Sequence, residues 1–382
     1  MDNTVVIQIV TLSLVLVLSP YLSRVLHLPT APIEIIVGSL LSLWGIIEVK
    51  DENFTLIAEV GFLYLMFLAG LEVNLKSIFK MPRVYIVQAF IFLAILWLLS
   101  LIVGLSVQLH PILIVVLPLI SIGLLATLSK EYGKEVKWIK IAFLIGTIGE
   151  VISIVALSIS EASTSIGFDE ELLYKILLLL IFLGIIFALY IFFKILFWWY
   201  PELKTTLMPP DDGKYQDLRL AMGLFFIMIA IMKQVHLELA FGAFIAGLFI
   251  STFFHHKKAL EEKMSSFGFG FLVPIFFIHV GASFNLNFLL TEEVLKVTAI
   301  LLFLMFFVRM VAAYALTFIM SKRNALLTAL ALFMPLTLMI AVATVGYEKH
   351  MIGVFDYYAV ILASLLEVII AMVAIKLLLN RG

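Results

Sequence analysis

The chain has 382 residues, 64% of them hydrophobic and 13% charged, with a mean hydropathy of +1.18. So few polar side chains cannot cover a soluble surface, so the length counts membrane spans rather than soluble domains. Twenty-five Lys and Arg against 26 Asp and Glu give no basic footprint for nucleic acid, and the lack of cysteine excludes disulfides and zinc–thiolate clusters.

Polar punctuation divides the sequence into 13 apolar stretches, near 3–25, 31–47, 55–75, 83–107, 111–129, 138–160, 172–199, 218–233, 237–254, 266–288, 294–320, 324–346 and 357–379. The expected fold is an all-α polytopic membrane protein with 13 transmembrane helices. The first stretch follows Asp2 and no basic residue, the wrong start for a cleaved signal peptide, so it is kept as a span. With the N-terminus outside, 19 Lys and Arg fall in inner loops and five (Lys50, Lys175, Lys233, Lys296 and Lys349) in outer loops; Arg309 lies within a span. This bias orients the N-terminus out and the C-terminus in, across the cell inner (plasma) membrane. The polar stretch 201–217 reads as a linker, and His255 and His256, beside Lys257 and Lys258, as solvated loop residues.

The halves of the sequence echo one another. Pro118 begins P-L-I-S and Pro335 begins P-L-T-L, 217 positions apart; Glu150-Val151-Ile152 and Glu367-Val368-Ile369 are separated by the same 217. Asn74 and Asn285 are 211 apart, Gly38 and Gly247 are 209 apart. Spans 1–6 would then correspond to spans 8–13. A shift of seven spans inverts the second copy, giving two inverted six-helix repeats of the kind found in secondary transporters. Pro118 and Pro335 fall within apolar spans, where proline removes a helix hydrogen bond. Kinks would satisfy that observation; matching positions in both copies favour discontinuous helices whose freed carbonyls line an ion site.

Three charges fall at mid-membrane. Glu150 is ten residues past Lys140 and eleven before Glu161, about 15 Å deep at 1.5 Å per residue. Arg309 is thirteen residues from Lys296 and from Lys322, and Glu367 is eleven from Asp356 and nine from Lys376. An ionised group costs about 3 kcal/mol or more at that depth, so such residues are paired or functional. Arginine does not release its proton, which makes Arg309 a fixed counter-charge. One of the two acids is then left over. A carboxylate kept from water holds a proton more tightly, so proton and metal cation can compete for it. Glu150, within G-T-I-G-E where Gly146, Thr147 and Gly149 open space, is read as the exchanging acid and Glu367 as the partner of Arg309. Ser121, Thr127, Ser153 and Thr337 are the candidate oxygen ligands that complete the cation site, with Glu150 as the metal-binding carboxylate.

Four further segments carry a family resemblance: L-H-L-P-T-A-P-I-E-I-I-V-G-S-L-L (26–41), F-L-A-G-L-E-V-N-L (67–75), F-G-A-F-I-A-G-L-F-I-S (241–251) and V-P-I-F-F-I-H-V-G-A-S-F-N-L (273–286). In this order they resemble the monovalent cation:proton antiporter superfamily, in its sodium/proton exchanger and Kef-type branch. The resemblance implies a sodium/proton antiporter-like homodimer. Its dimer scaffold would occupy about 1–80 and 215–290, its core about 81–160 and 291–382, and a linker helix 170–200. It implies a secondary antiporter of Na+ or K+ against H+ with no cofactor, and it carries the family's ion-binding carboxylate onto Glu150 and its basic residue onto Arg309. Two departures, Gly149-Glu150 in place of an aspartate preceded by Asp, Asn or Gln, and arginine in place of lysine, suggest electroneutral exchange. The regulatory nucleotide-binding tail of some Kef-type proteins is not expected in this chain.

Two rivals come from other classes. A cation channel is suggested by Thr344-Val345-Gly346-Tyr347-Glu348, but a filter needs a re-entrant loop and four copies, and Glu348 replaces the final glycine. A Na+-coupled symporter of an organic solute would need a roomy polar cavity. His279 reads as a packing residue or a pH-sensing one. Glu34, Glu59, Glu72 and Glu238, nearer span ends, read as solvated or locally bonded.

Overall fold

The computed structural model describes residues 3–26, 30–47, 51–73, 81–133, 135–164, 170–207, 209, 215–235, 239–254, 258–283 and 291–380. His255, His256, Asn74, Asn285 and Glu238 lie outside them, as does the side chain of Thr127. Apart from the polar helices Pro201–Leu207 and Lys258–Phe267, the helices below follow the apolar stretches of the sequence. Among the described residues, eight are long and apolar enough to cross a membrane, and three shorter apolar helices accompany them. The chain is an all-α, multi-pass membrane protein.

Two compact units divide it, each assembled from two separate stretches of chain. Met1–Asn74 with Phe168–Asn285 form the first, Leu75–Gly167 with Leu286–Gly382 the second. The first unit holds α1 (Asn3–Leu26), α2 (Thr30–Leu43), α3 (Glu52–Glu72), α8 (Glu170–Trp199), the short α9 (Pro201–Leu207), α10 (Gln216–Gln234), α11 (Leu239–Phe254), α12 (Lys258–Phe267) and α13 (Val273–Ala282). The second holds α4 (Arg83–Ser106), α5 (Pro111–Val116), α6 (Gly123–Tyr132), α7 (Lys137–Thr164), α14 (Glu292–Ala313), α15 (Lys322–Ala331), α16 (Leu336–Glu348) and α17 (Val354–Asn380). The helix 170–199, read from the sequence as a linker, groups with the first unit.

Close backbone contact holds the first unit together. A Cβ on Gly38 of α2 would collide with the Ile278 carbonyl of α13, and one on Gly281 of α13 with the Ile35 carbonyl of α2. In the same way Gly70 of α3 abuts the Phe244 carbonyl of α11, and Gly247 of α11 abuts the Phe67 carbonyl of α3. Small residues permit this approach, which replaces side-chain interdigitation with backbone dispersion contacts where lipid gives no hydrophobic drive. The two pairings map onto each other under the repeat: Gly38 onto Gly247, Gly70 onto Gly281. Asp51 starts α3 by accepting from the Asn53 and Phe54 N–H groups at 2.8 and 3.1 Å, satisfying two of its unpaired donors. Between α12 and α13 a single π turn, Gly268–Leu272, precedes Pro274; the missing proline N–H frees a carbonyl one turn back, and the Val273 N–H reaches the Gly268 carbonyl.

The second unit is organised by interruption. The fifth and twelfth apolar stretches each fold as two half-helices. Residues 117–122 separate α5 from α6, and 332–335 separate α15 from α16. Pro118 stands in the first break; Pro335 caps α16 with φ −80° and ψ 41°. Thr344–Glu348 fall within the continuous helix α16, so the segment that resembles a channel filter is helical.

Candidate functional site

The two breaks supply backbone groups that an intact helix would have used internally, and the side chains of the second unit meet them. Arg309, on α14, is fully buried. Its Nε donates to the Leu332 carbonyl at 3.1 Å, Nη1 to the Leu117 carbonyl at 2.8 Å and to Met305 at 3.1 Å, and Nη2 to the Leu119 carbonyl. Leu117 and Leu332 close the first half-helix of each interrupted pair. Carbonyl ends of helices carry partial negative charge, so one guanidinium answers both. Its face lies 5.6 Å from the centroid of the Phe333 ring.

The acid sits at the opposite poles. Glu150, buried on α7, accepts at Oε1 from the Ser121 hydroxyl at 3.0 Å, and the Ile122 N–H donates towards the same carboxyl. Ser121 in turn shares a 3.0 Å hydrogen bond with the Thr337 hydroxyl. Ser121 and Ile122 lead into α6, and Thr337 lies in the first turn of α16. Glu150 is therefore linked to the N-terminal, positive ends of both second half-helices. Its Oε2 is buried with no hydrogen-bond partner. Negative charge faces positive helix ends, and positive charge faces negative ones.

Ser121, Thr337 and Glu150 thus form one chain of oxygens. Ser153, named with them from the sequence, accepts instead from the Ile120 N–H at 3.1 Å and steadies the unwound segment. The glycines before Glu150 do not leave open space: a Cβ on Gly146 would meet Ile122 at 2.7 Å, and one on Gly149 would meet Ile120 at 2.8 Å. They let the first break pack against α7. Glu367, on α17, is fully buried with neither carboxyl oxygen hydrogen-bonded. It interacts electrostatically with Arg309, whose hydrogen bonds all go to main-chain carbonyls. The carbonyls of Leu117, Leu119 and Leu332 were not legible as site groups, because main-chain atoms leave no mark in residue identity; only the prolines hinted that some would be free.

Among the described residues, no three His, Cys, Asp or Glu side chains gather in a metal-binding cluster. The donors at Glu150 are one carboxylate and two hydroxyls, hard oxygens suited to a hard cation. In the first unit, His279 faces Thr55 at 3.4 Å and meets the Phe54 ring edge-on, and Glu34 accepts from Ser19 at 3.1 Å. Both are locally bonded.

Half-helices that meet at a buried acid define an ion-coupled transporter fold. The structure of the sodium proton antiporter MjNhaP1 from Methanocaldococcus jannaschii superposes with a TM-score of 0.69 at 18% identity, over 98% of this chain and 99% of that one, which establishes the likeness of fold. The family described as sodium/hydrogen exchanger, transmembrane, matches residues 12–381, and the chain belongs to it. That is a family of transporters, not of enzymes. The chain is 26% identical to a putative Na+/H+ antiporter, YjbQ, of Bacillus subtilis, over its whole length and 64% of that protein. It is 23% identical to probable Na+/H+ antiporter 3 of Methanocaldococcus jannaschii over 79% of this chain and 77% of the relative. It is 25% identical to the glutathione-regulated potassium-efflux protein KefC of Shigella flexneri over 70% of this chain and 43% of the relative. The chain thus spans less than two thirds of the Bacillus and Shigella proteins.

Proposed function

We propose that the chain is a secondary antiporter that exchanges a monovalent cation, Na+ or K+, for H+ by alternating access around Glu150. The observation that carries the reading is the Ser121 hydroxyl, which bridges Glu150 and Thr337 and so ties one acid to both interrupted helices. With a proton on Glu150 the carboxyl is neutral and the hydroxyl chain closes on itself. With the proton gone, the hydroxyls rotate their lone pairs towards a cation held by Glu150, Ser121 and Thr337. Thr127 and freed carbonyls complete its oxygen shell. Proton and cation neutralise the same single charge, so exchange is one for one and electroneutral. Arg309 keeps its charge throughout and with Glu367 balances the helix ends.

The proposal extends to 13 transmembrane helices with the N-terminus outside, two inverted repeats, and a homodimer in the inner membrane. The core would be about 81–160 and 291–382, the dimer scaffold about 1–80 and 215–290. The paired glycine contacts, related by the repeat offset, favour the inverted arrangement, and the basic-residue bias favours the orientation.

The test is cation-dependent proton movement in everted vesicles, followed with a fluorescent pH indicator while Na+, K+ and Li+ are supplied in turn. Wild-type protein should release an imposed pH gradient with Na+ or K+ and pass no unitary currents in a planar bilayer. Glu150→Gln should lose the response while still eluting as folded protein. Wild-type-like exchange by that variant would remove Glu150 from the mechanism, and unitary currents would replace the antiporter with a channel.

A further inference from the structure

An open groove of about 710 Å³ runs along the second unit between α4 and the end of α14 with the 3-10 turn Tyr314–Phe318 that follows it. Gln88, Ile91 and Ile95 line one wall, Phe307, Tyr314 and Phe318 the other. Its volume falls within the range of about 300–1,000 Å³ typical of ligand sites. Helix α4 starts at Arg83, so at 1.5 Å per residue the wall reaches about 18 Å from that end, close to one leaflet of a ~30 Å hydrocarbon core. The groove therefore has the length and polarity of an acyl chain standing in a single leaflet.

Polar groups mark only one end. Gln88 lies five residues, about 8 Å, from Arg83, and its Oε1 is buried without a hydrogen-bond partner. At the mouth, the Lys137 ammonium sits 5.9 Å from the centre of the Tyr85 ring and donates to the Ile319 carbonyl at 2.7 Å. That uses one of its three donors. Arg83 is exposed two residues before Tyr85, at the start of α4. The neighbouring acid, Glu135, is bonded to Lys140, so it does not neutralise Lys137. The mouth is cationic and the interior apolar, with one unmet acceptor at the depth where headgroup gives way to chain.

We propose that this groove binds an anionic phospholipid, of which phosphatidylglycerol is a simple case, its phosphate at Lys137 and Arg83 and one chain between α4 and the end of α14. The site is distinct from Glu150 and its hydroxyls, and it is independent of the ion exchanged. The juxtaposition makes a stronger demand than a lipid-facing surface does, because an annular lipid needs no cationic mouth at the end of a groove.

The experiment uses the full chain in detergent micelles, titrated with dioleoyl phosphatidylglycerol or dioleoyl phosphatidylcholine. Lipid retention is read by native mass spectrometry. Wild-type protein should retain phosphatidylglycerol at least about tenfold more tightly than phosphatidylcholine, given ~1 kcal/mol for each basic residue at the headgroup. Arg83→Gln combined with Lys137→Gln should abolish that preference, whereas Lys296→Gln, at the other end of α14, should keep it. Ile91→Trp, which fills the groove and leaves the charges in place, should lower retention of phosphatidylglycerol several-fold. Equal retention of the two lipids by wild-type protein overturns the proposal. A phosphatidylglycerol preference that survives Ile91→Trp overturns it too, and this variant decides the matter even if the double charge variant fails to fold.

Discussion

The two units bury polar groups in opposite ways. In the first, helices stay whole and approach through glycine: Gly38 with Gly281, Gly70 with Gly247. Its buried acids Glu34 and Asp217 are answered by the side chains of Ser19 and Lys263. In the second, two helices are broken, and a buried arginine, two buried glutamates and three hydroxyls gather about the breaks. Intact helices need no outside partners for their main chain in lipid. Broken ones do, and the partners they recruit are the groups that can handle ions. Rigidity by glycine and chemistry by interruption are thus separable in this chain.

The largest expected effect tests the second half of that contrast. Arg309→Ala leaves the Leu117, Leu119 and Leu332 carbonyls without their donor and should destabilise the protein by about 3–5 kcal/mol, the scale for removing one side of a buried charge interaction. The check is the yield of monodisperse protein and its thermal midpoint in detergent. Normal stability with altered transport would show that the guanidinium serves transport and not the breaks. Next, Gly247→Val pushes a branched side chain against the Phe67 carbonyl and should cost about 1–3 kcal/mol through overpacking. A loss of stability with exchange intact, after correction for protein amount, is the expected pattern.

A smaller loss is expected from Ser153→Ala, which strands the Ile120 N–H at about 1–3 kcal/mol; an unchanged midpoint would mean that water or another group replaces the hydroxyl. Thr337→Val removes one oxygen from the Glu150 chain without adding volume. Its signature should be a several-fold rise in the cation concentration giving half-maximal exchange, with little change in melting. Smallest of all is Gly184→Ala, on α8. No atom beyond the neighbouring backbone of its own helix lies within 4 Å of the added methyl, so stability should rise by no more than about 1 kcal/mol, the helix-propensity gain. A marked loss there would end the claim that glycine matters in this fold only where another segment packs against it.

Much of this contrast was readable in the residues. The helix positions follow from apolar run lengths, and the breaks from proline at matching offsets, since a missing N–H acts the same way in any apolar helix. Burial of Glu150, Arg309 and Glu367 follows from counting residues to the nearest loop. The hydrogen bonding did not follow. The sequence pointed to Glu367 as the partner of Arg309; the two interact electrostatically, yet the guanidinium's hydrogen bonds go to three carbonyls at the breaks and one in its own helix. Ser153 looked like a ligand by proximity to Glu150, yet three residues along a helix turn it towards the Ile120 N–H.

By itself, then, the sequence determined the membrane class, the positions of the apolar helices, the two interruptions and the placement of the charges within apolar helices. Each of these depends on local properties: apolar length, a missing N–H, residues per ångström of helix. Only the tertiary structure decided that Ser121 joins Glu150 to Thr337 across 216 positions of chain, and that Arg309 meets carbonyls from two separate breaks. Those are meetings of backbone and side-chain atoms brought together by packing. Spacing along one chain does not encode them.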